Sequence, residues 1–346
     1  MKTATAFAAM GAAMVTTLLY ARRKRRRALK PDGRRTILIT GTTGWLGGLL
    51  ARRLVAAGDV RVLGLARRAS GIEGVVDMIA DLSTGAGLST LKHVGCIDVC
   101  IHLGGVAGWC SLEQGLSVNV QGTHRLFAAL SSTCKKFVVA SSIATVGTGI
   151  PHHPPSVLPM PEEHPYAGYP WAYALSKAHV EDVCRFLAAQ DARANPSPGL
   201  DIILLRIGCC ITDPPGPPKH LETAIGQAVG IDRARIEAPP PEDPCFPEGP
   251  IAVIAESDIV RCLELAARAP PKPGVRTFNA TARHAFLAVG ASVPDVFRRL
   301  YGEAASAIDF SHYERKGHEQ DSIYDCRAIE DGLGFVPSVD VRASYP

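Results

Sequence analysis

Thr40-Gly41-Thr42-Thr43-Gly44-Trp45-Leu46-Gly47 stands between two apolar runs of different character. Before it, Thr36-Ile37-Leu38-Ile39 suits a strand buried on both faces; after it, Leu49-Leu50-Ala51-Arg52-Arg53-Leu54-Val55 has helical periodicity. A strand, a glycine turn and a helix in that order make a dinucleotide-binding fingerprint. Glycine has no Cβ, so Gly41 can take the tight turn, Gly44 can admit a pyrophosphate against the backbone, and Gly47 can seat the helix close to the sheet. Thr43, Trp45 and Leu46 would bring the unpaired N–H groups of the helix start to the phosphates.

Working outward, Val60-Arg61-Val62-Leu63-Gly64-Leu65-Ala66 reads as the second strand, ending where a ribose 2′-hydroxyl would be met. An acidic residue there selects NAD. Arg67 and Arg68 stand there instead, and a guanidinium suits a 2′-phosphate, so NADP is the expected cofactor and NAD the alternative. Val75 to Ala80 gives a third strand closed by Asp81-Leu82, and Ile97 to Leu103 a fourth that ends in Gly104-Gly105. Asn119 is expected to open a helix running through Leu126, Phe127 and Leu130. Phe137 to Ala140 then delivers Ser141-Ser142 at the carboxyl edge, where open α/β sheets bind ligands.

Pro151 to Pro170 is a proline- and histidine-rich loop, in which His152, His153 and His164 are expected to be surface or loop residues. A helix from Trp171 to about Ala189 and a strand over Asp201 to Arg206 follow, with Ile207 at the cofactor edge. Residues 35–210 therefore read as a doubly wound, Rossmann-type α/β domain with a parallel sheet. Residues 211–346 read as a small substrate lobe interleaved with the last sheet elements, among them a helix through Ala267 and a strand at Thr277-Phe278-Asn279. There is no internal repeat.

Tyr173 and Lys177 are four residues apart in a helical stretch, on one face. A phenol is a poor base at neutral pH, and a nearby ammonium favours the phenolate, so this spacing is expected to lower the tyrosine pKa and fit it for proton exchange with a substrate hydroxyl. Ser142 would hydrogen-bond the same substrate oxygen. The pair has weight through its position, since Tyr20 and Lys24 in the tail share the spacing.

With these parts in place the chain resembles the extended short-chain dehydrogenases/reductases, the group of nucleotide-sugar epimerases, dehydratases and 3β-hydroxysteroid dehydrogenases, over roughly residues 35 to 340. That resemblance implies that Asp81 touches the adenine, that Tyr173 and Lys177 act together with Lys177 also on the nicotinamide ribose, and that Asn119 supports the lysine and its proton relay. It selects Ser142 over Ser141 through the spacing to Gly147. It also implies a homodimer formed through the Tyr173 helix. His102-Leu103-Gly104-Gly105, Ala140-Ser141-Ser142 and Leu205-Arg206-Ile207-Gly208-Cys209-Cys210 are similar to segments of uronate dehydrogenases. The chain departs from those enzymes in the acidic residue after the second strand and in their arginine-containing segment after Cys210. Ile143-Ala144 replaces the Asp-Glu pair of dehydratases, which disfavours dehydration. A dehydrogenase or reductase acting on a secondary alcohol or ketone is expected; an epimerase, a membrane-bound sterol-type dehydrogenase and a silent cofactor-binding scaffold are the alternatives.

At 346 residues and 47% hydrophobic content the chain can bury a large core. The net charge of +4 is concentrated at the start: residues 1–35 hold ten Lys/Arg against one acid, so the body is mildly acidic and no nucleic-acid partner is expected. Residues 1–34 carry the uncharged run Ala4 to Tyr20 and the basic block Arg22 to Arg27. This reads as a membrane anchor with the body facing the cytosol, or else as an organelle transit peptide. Ten cysteines without C-x-x-C spacing read as reduced residues, with Cys209-Cys210 as small apolar filling, and no metal ligands are expected.

Overall fold

The apolar runs become strands of one sheet in the computed structural model, which describes residues 33–108, 110–146, 154–165, 171–194, 199–214, 251–287 and 290–344. The tail with its apolar run and basic block, Gly147, His152, His153 and residues 215–250 of the substrate lobe lie outside the described residues. Among the described residues no helix is long and apolar enough to cross a membrane.

Strand β1 (Arg35–Thr40) is flanked by β2 (Val60–Ala66) and then β3 (Val75–Ile79) on one side. On the other side come β4 (Val99–His102), β5 (Lys136–Ser142) and β6 (Asp201–Ile207). β7 (Cys209–Ile211) and β8 (Val253–Ala255) form a separate pair, and β9 (Gly274–Ala280) closes the main sheet beside β6. The order β3-β2-β1-β4-β5-β6-β9 with every ladder parallel is the doubly wound arrangement, whose strand order reverses between β1 and β4.

Alternation along the strands fills two cores. Ile37 and Ile39 of β1 pack with Leu50 and Leu54 of α1 (Trp45–Ala57) and with Leu263, whereas Leu38 packs with Leu126 and Phe137 on the opposite face. Leu50 and Leu54 are fully buried, each contributing roughly 1.5–3 kcal/mol of hydrophobic stabilisation. α1 stops at Gly58, whose left-handed φ of 72° lets its N–H return to the carbonyls of Leu54 and Val55.

The helix expected to open at Asn119 begins earlier. α2 (Leu112–Gln114) starts from a Ser111 capping box and runs through a π-helical turn, Gly115–Val120, into α3 (Gln121–Leu130), so Asn119 sits inside the wide turn. The one-residue expansion turns the Asn119 side chain inward, and apolar periodicity carries no signal for it. α4 (Ala172–Ala194) buries Ala174, Lys177, Glu181, Cys184 and Ala188, a stripe at helical spacing, and extends one turn past the expected end. α5 (Glu256–Arg268), which carries Leu263, covers the other face of the sheet.

α6 (Val293–Tyr301) and α7 (Arg327–Leu333) complete the described helices. A third core joins Leu158, Met160, Phe297, Tyr313 and Tyr324. Met160 N–H donates to Ile323 O at 2.8 Å and Asp325 N–H to Met160 O at 2.9 Å, which fastens the loop before α4 to the C-terminal region. His164, expected to be a surface or loop residue, lies in the loop but is buried: its Nε2 accepts from Ser156 N–H at 3.1 Å and its Nδ1 lies 3.0 Å from Pro165 O. The loop folds back on itself, a tertiary effect that local composition does not encode.

Candidate active site

The glycine turn leaves β1 at the topological switch point. Gly41 has φ 79°, and a Cβ there would lie 3.0 Å from Gly104 N, so the turn and the end of β4 touch through backbone alone. A Cβ on Gly47 would fall 2.3 Å from Gly41 O, so this glycine seats α1 on the turn rather than on the sheet as expected. Gly44 is the N-cap of α1, and no side chain caps the helix and no acid stands in its first turn. Trp45 and Leu46 occupy the first two helical positions. The helix start thus presents N–H groups with no partner inside the helix, and the positive dipole end, to a cavity of about 370 Å³ lined by Thr42, Thr43, Gly44, Trp45, Arg52, Arg68 and Ser70. Buried Thr42 Oγ1 has no hydrogen-bond partner among the described residues. Such a cradle fits a dinucleotide pyrophosphate.

Arg67 and Arg68 are both exposed after β2, but only Arg68 lines the cavity; Arg67 faces Asp81. Arg52, two turns into α1, also lines the cavity and is a residue that sequence reasoning missed. Its guanidinium lies over Gly48, where a Cβ would come within 4.0 Å of Nη2, and the bare backbone there leaves it room. Asp81 Oδ1 accepts from Ser83 N–H at 2.8 Å and Ser83 Oγ–H at 2.7 Å, which holds the carboxyl below its ordinary range. Leu82 is buried against Gly104 and Gly122, where added Cβ atoms would come within 2.9 and 3.0 Å of it. Leu103 packs at the edge of the core, and Ile207 is buried at the end of β6.

β5 ends by pointing its two serines in opposite directions, as a strand must. Ser142 hydrogen-bonds the Tyr173 hydroxyl, while Ser141 donates to Glu181 Oε1 at 2.6 Å. Lys177 Nζ donates to Ala140 O at 2.8 Å and lies 5.9 Å from the centroid of the Tyr173 ring. The expected lowering of the phenol pKa is not what this arrangement gives. Burial pushes Tyr173 up to about 12, against a smaller opposing effect of the Ser142 hydrogen bond, and burial brings Lys177 down to about 8. The ammonium is anchored to a carbonyl on β5 rather than to the phenol oxygen.

Asn119 does not reach the lysine. Its Oδ1 accepts from Val106 N–H at 2.9 Å, and its Nδ2 donates to Val106 O at 3.1 Å and Ser176 Oγ at 2.9 Å. A Cβ on Gly105 would sit 2.7 Å from Asn119 Oδ1, so the asparagine clamps the segment that follows Gly104-Gly105 onto α4. Behind it runs a buried chain that the sequence did not reveal. Gly104 N–H donates to Thr40 Oγ1 at 2.8 Å, Thr40 lies 2.7 Å from His102 Nδ1, His102 Nε2 lies 3.1 Å from Thr123 Oγ1, and Thr123 donates to Asn119 O at 2.6 Å. Thr123 has spent its only proton on Asn119, so it accepts from His102 Nε2–H, and Nδ1 accepts from Thr40. Burial, assisted by Lys177, lowers His102 to about 3, which keeps it in this neutral tautomer.

Cys110, Cys209 and Cys210 border the phenol. Burial raises all three thiols, Cys209 to about 11, so they stay protonated and serve as small apolar lining. The nine described cysteines are all free.

A parallel sheet with a glycine cradle at its switch point, and Ser, Tyr and Lys gathered at the neighbouring strand end, defines the short-chain dehydrogenase/reductase class of extended type. Residues 37–208 match the family model described as the NAD dependent epimerase/dehydratase family, and over this stretch the chain belongs to that family. It is 30% identical over 188 residues to a uronate dehydrogenase of Pseudomonas putida, a match covering 51% of this chain and 62% of that protein. It is likewise 30% identical over 229 residues to UDP-glucose 4-epimerase 2 of Oryza sativa subsp. japonica, covering 58% of this chain and 53% of the relative. The matches thus span less than two thirds of either curated relative. Among solved structures, UDP-glucose 4-epimerase from Bifidobacterium longum in complex with NAD+ and UDP superposes with a TM-score of 0.60 at 20% identity, covering 90% of this chain and 96% of that one.

Proposed function

We propose that the protein is an NAD(P)-dependent oxidoreductase that moves hydride at a secondary alcohol or ketone carbon of a sugar-like substrate. One observation carries this reading: Tyr173, Ser142 and Lys177 meet at the carboxyl edge of β5, next to the glycine cradle. A bound nicotinamide supplies or accepts the hydride. Tyr173 gives or takes the proton at the substrate oxygen, Ser142 fixes that oxygen's angle, and Lys177 favours the phenolate form as the proton leaves. Relatives named as a uronate dehydrogenase and a UDP-glucose epimerase support a sugar-class substrate.

NADP is the proposed cofactor. Arg52 and Arg68 both face the cradle, and no acidic residue lines it among the described residues. Charge-assisted contacts of this kind are worth about 1.5–3 kcal/mol each. The test is a calorimetric titration of the full chain with NADPH and NADH in parallel. NADPH is expected to bind more tightly, and Arg68→Ala to weaken NADPH about 10- to 100-fold while leaving NADH within about threefold. Equal loss for both cofactors would refute the phosphate role, and no binding of either would refute the oxidoreductase.

Membrane attachment through residues 4–27 and a homodimer formed through α4, which exposes Phe186, belong to the same proposal. Fractionation of cells expressing the full chain or a chain lacking residues 1–30, and light scattering of the purified protein, check the two.

A further inference from the structure

His284, His312, His318 and Asp321 come together in the C-terminal region, beside the core residue Tyr313. Asp321 Oδ2 lies 2.9 Å from His312 Nε2 and 2.7 Å from His318 Nδ1, and Asp321 Oδ1 lies 3.7 Å from His284 Nδ1. That last nitrogen is buried and has no hydrogen-bond partner among the described residues. A buried imidazole nitrogen without a hydrogen bond, aimed at a carboxylate that two further imidazoles already share, is costly as it stands. A cation held between these groups would relieve that cost.

We infer that these four side chains form a binding site for a divalent transition metal of the zinc class, which ties the 284 segment to the 312–321 turn. Imidazole and carboxylate donors without thiolate suit zinc, cobalt or nickel and not magnesium. Tetrahedral zinc with bonds of about 2.0–2.1 Å holds its ligand atoms roughly 3.3–3.4 Å apart. The donor atoms of His312, His318 and Asp321 already lie within 4.8 Å of one another, and His284 Nδ1, 3.7 Å from Asp321 Oδ1, moves toward them to complete the site. Four protein ligands leave no open position, which marks a structural rather than a catalytic ion.

The backbone holds the donors in place beforehand. His284 and Asp321 face each other across an antiparallel bridge, with Ala285 N–H donating to Gln320 O at 2.8 Å and Ser322 N–H to Arg283 O at 2.9 Å. Gly317, at φ 88°, turns the chain so that His312 and His318 stack edge to face with centroids 5.2 Å apart. Tyr313 OH, donating to Ser322 O at 2.9 Å, anchors the turn in the core. His284 stands far from the other three donors in the chain, which is why the sequence showed no ligand spacing.

Guanidinium neighbours oppose the ion, Arg342 beside both His284 and Asp321 and Arg315 beside His312. Arg315 donates from its guanidinium to His312 Nδ1 at 2.5 Å, which places the ring proton on Nε2. To ligate through Nε2, His312 moves that proton to Nδ1 and Arg315, which is exposed, swings away; His318 moves its proton from Nδ1 to Nε2. Loss of Arg315 therefore strengthens the site.

The experiment is titration of the chelator-treated full chain with Zn²⁺, with Mg²⁺ in parallel, by calorimetry and thermal melting, and with Co²⁺ by visible absorption. One Zn²⁺ per chain is expected, with a raised melting temperature, no response to Mg²⁺, and tetrahedral Co²⁺ bands without the near-ultraviolet charge transfer of a thiolate. Arg315→Gln should tighten Zn²⁺ about tenfold. His318→Gln and Asp321→Asn should each weaken it at least about 100-fold while NADPH binding, which reports the folded body, is unchanged. Zn²⁺ binding that persists in both variants, thiolate absorption, or failure of both the wild-type and Arg315→Gln chains to bind would overturn the inference.

Discussion

Tyr173→Phe should lower turnover by about 10³-fold, the midrange for loss of a positioned proton donor, while NADPH affinity and the melting temperature stay near wild type. Phenylalanine keeps the ring and its tilted contact with Trp171 at 5.4 Å, and deletes only the hydroxyl that Ser142 holds. A fall confined to KM, or none, would remove the tyrosine from the chemistry. The pH profile supplies an independent check. Lys177 is held to about 8, so its cation is present below that pH and is lost above it, whereas Tyr173, at about 12, remains a protonated donor throughout. In the reductive direction kcat/KM should therefore be level in acid and fall about tenfold per pH unit above about 8. A profile that rises there would contradict the assigned roles.

The largest stability loss is expected at Arg206. Its Nε and Nη2 both donate to Glu181 at 2.9 Å, its Nη1 donates to Glu162 O at 2.7 Å, and Glu181 is only 2% exposed. The arginine keeps the Glu181 carboxyl ionised against its burial. Arg206→Met leaves that charge with Ser141 and the half-exposed Arg185, and should cost about 3–5 kcal/mol in urea unfolding. Arg206→Met with Glu181→Leu should recover most of the loss, because the penalty belongs to the orphaned carboxylate and not to the pair as such. Glu181 lies one turn beyond Lys177 on α4, so the single variant should also loosen the Lys177 bond to Ala140 and lower activity. A loss under about 1 kcal/mol would show that the pair adds little.

The sheet was legible because strands such as β1, β4 and β5 are short apolar runs that end near glycine or in a polar pair, as at Thr40-Gly41 or Ser141-Ser142. The meeting of Ser142 with Tyr173 could be read for the same reason: strand ends and one helical face fix direction. What stayed hidden depends on partners distant in the chain. The inward turn of Asn119 needs a π-helical insertion, the environment of Tyr173 depends on burial by segments around Cys110 and Cys209, and Arg52 reaches the cradle only because α1 packs so closely on the turn at Gly47. The cluster around Asp321 joins two segments through an antiparallel bridge that no local pattern announces.

The chain of hydrogen bonds from Gly104 through Thr40, His102 and Thr123 to Asn119 contains no ion. Dissolved salt weakens attractions between exposed charges, such as Arg53 with Glu264 and Arg268 with Asp59 where α1 and α5 meet, but it has no purchase on buried neutral groups. In concentrated electrolyte the outer faces of the molecule can therefore slacken while the cofactor edge of β4 and the turn that carries Asn119 keep their registration.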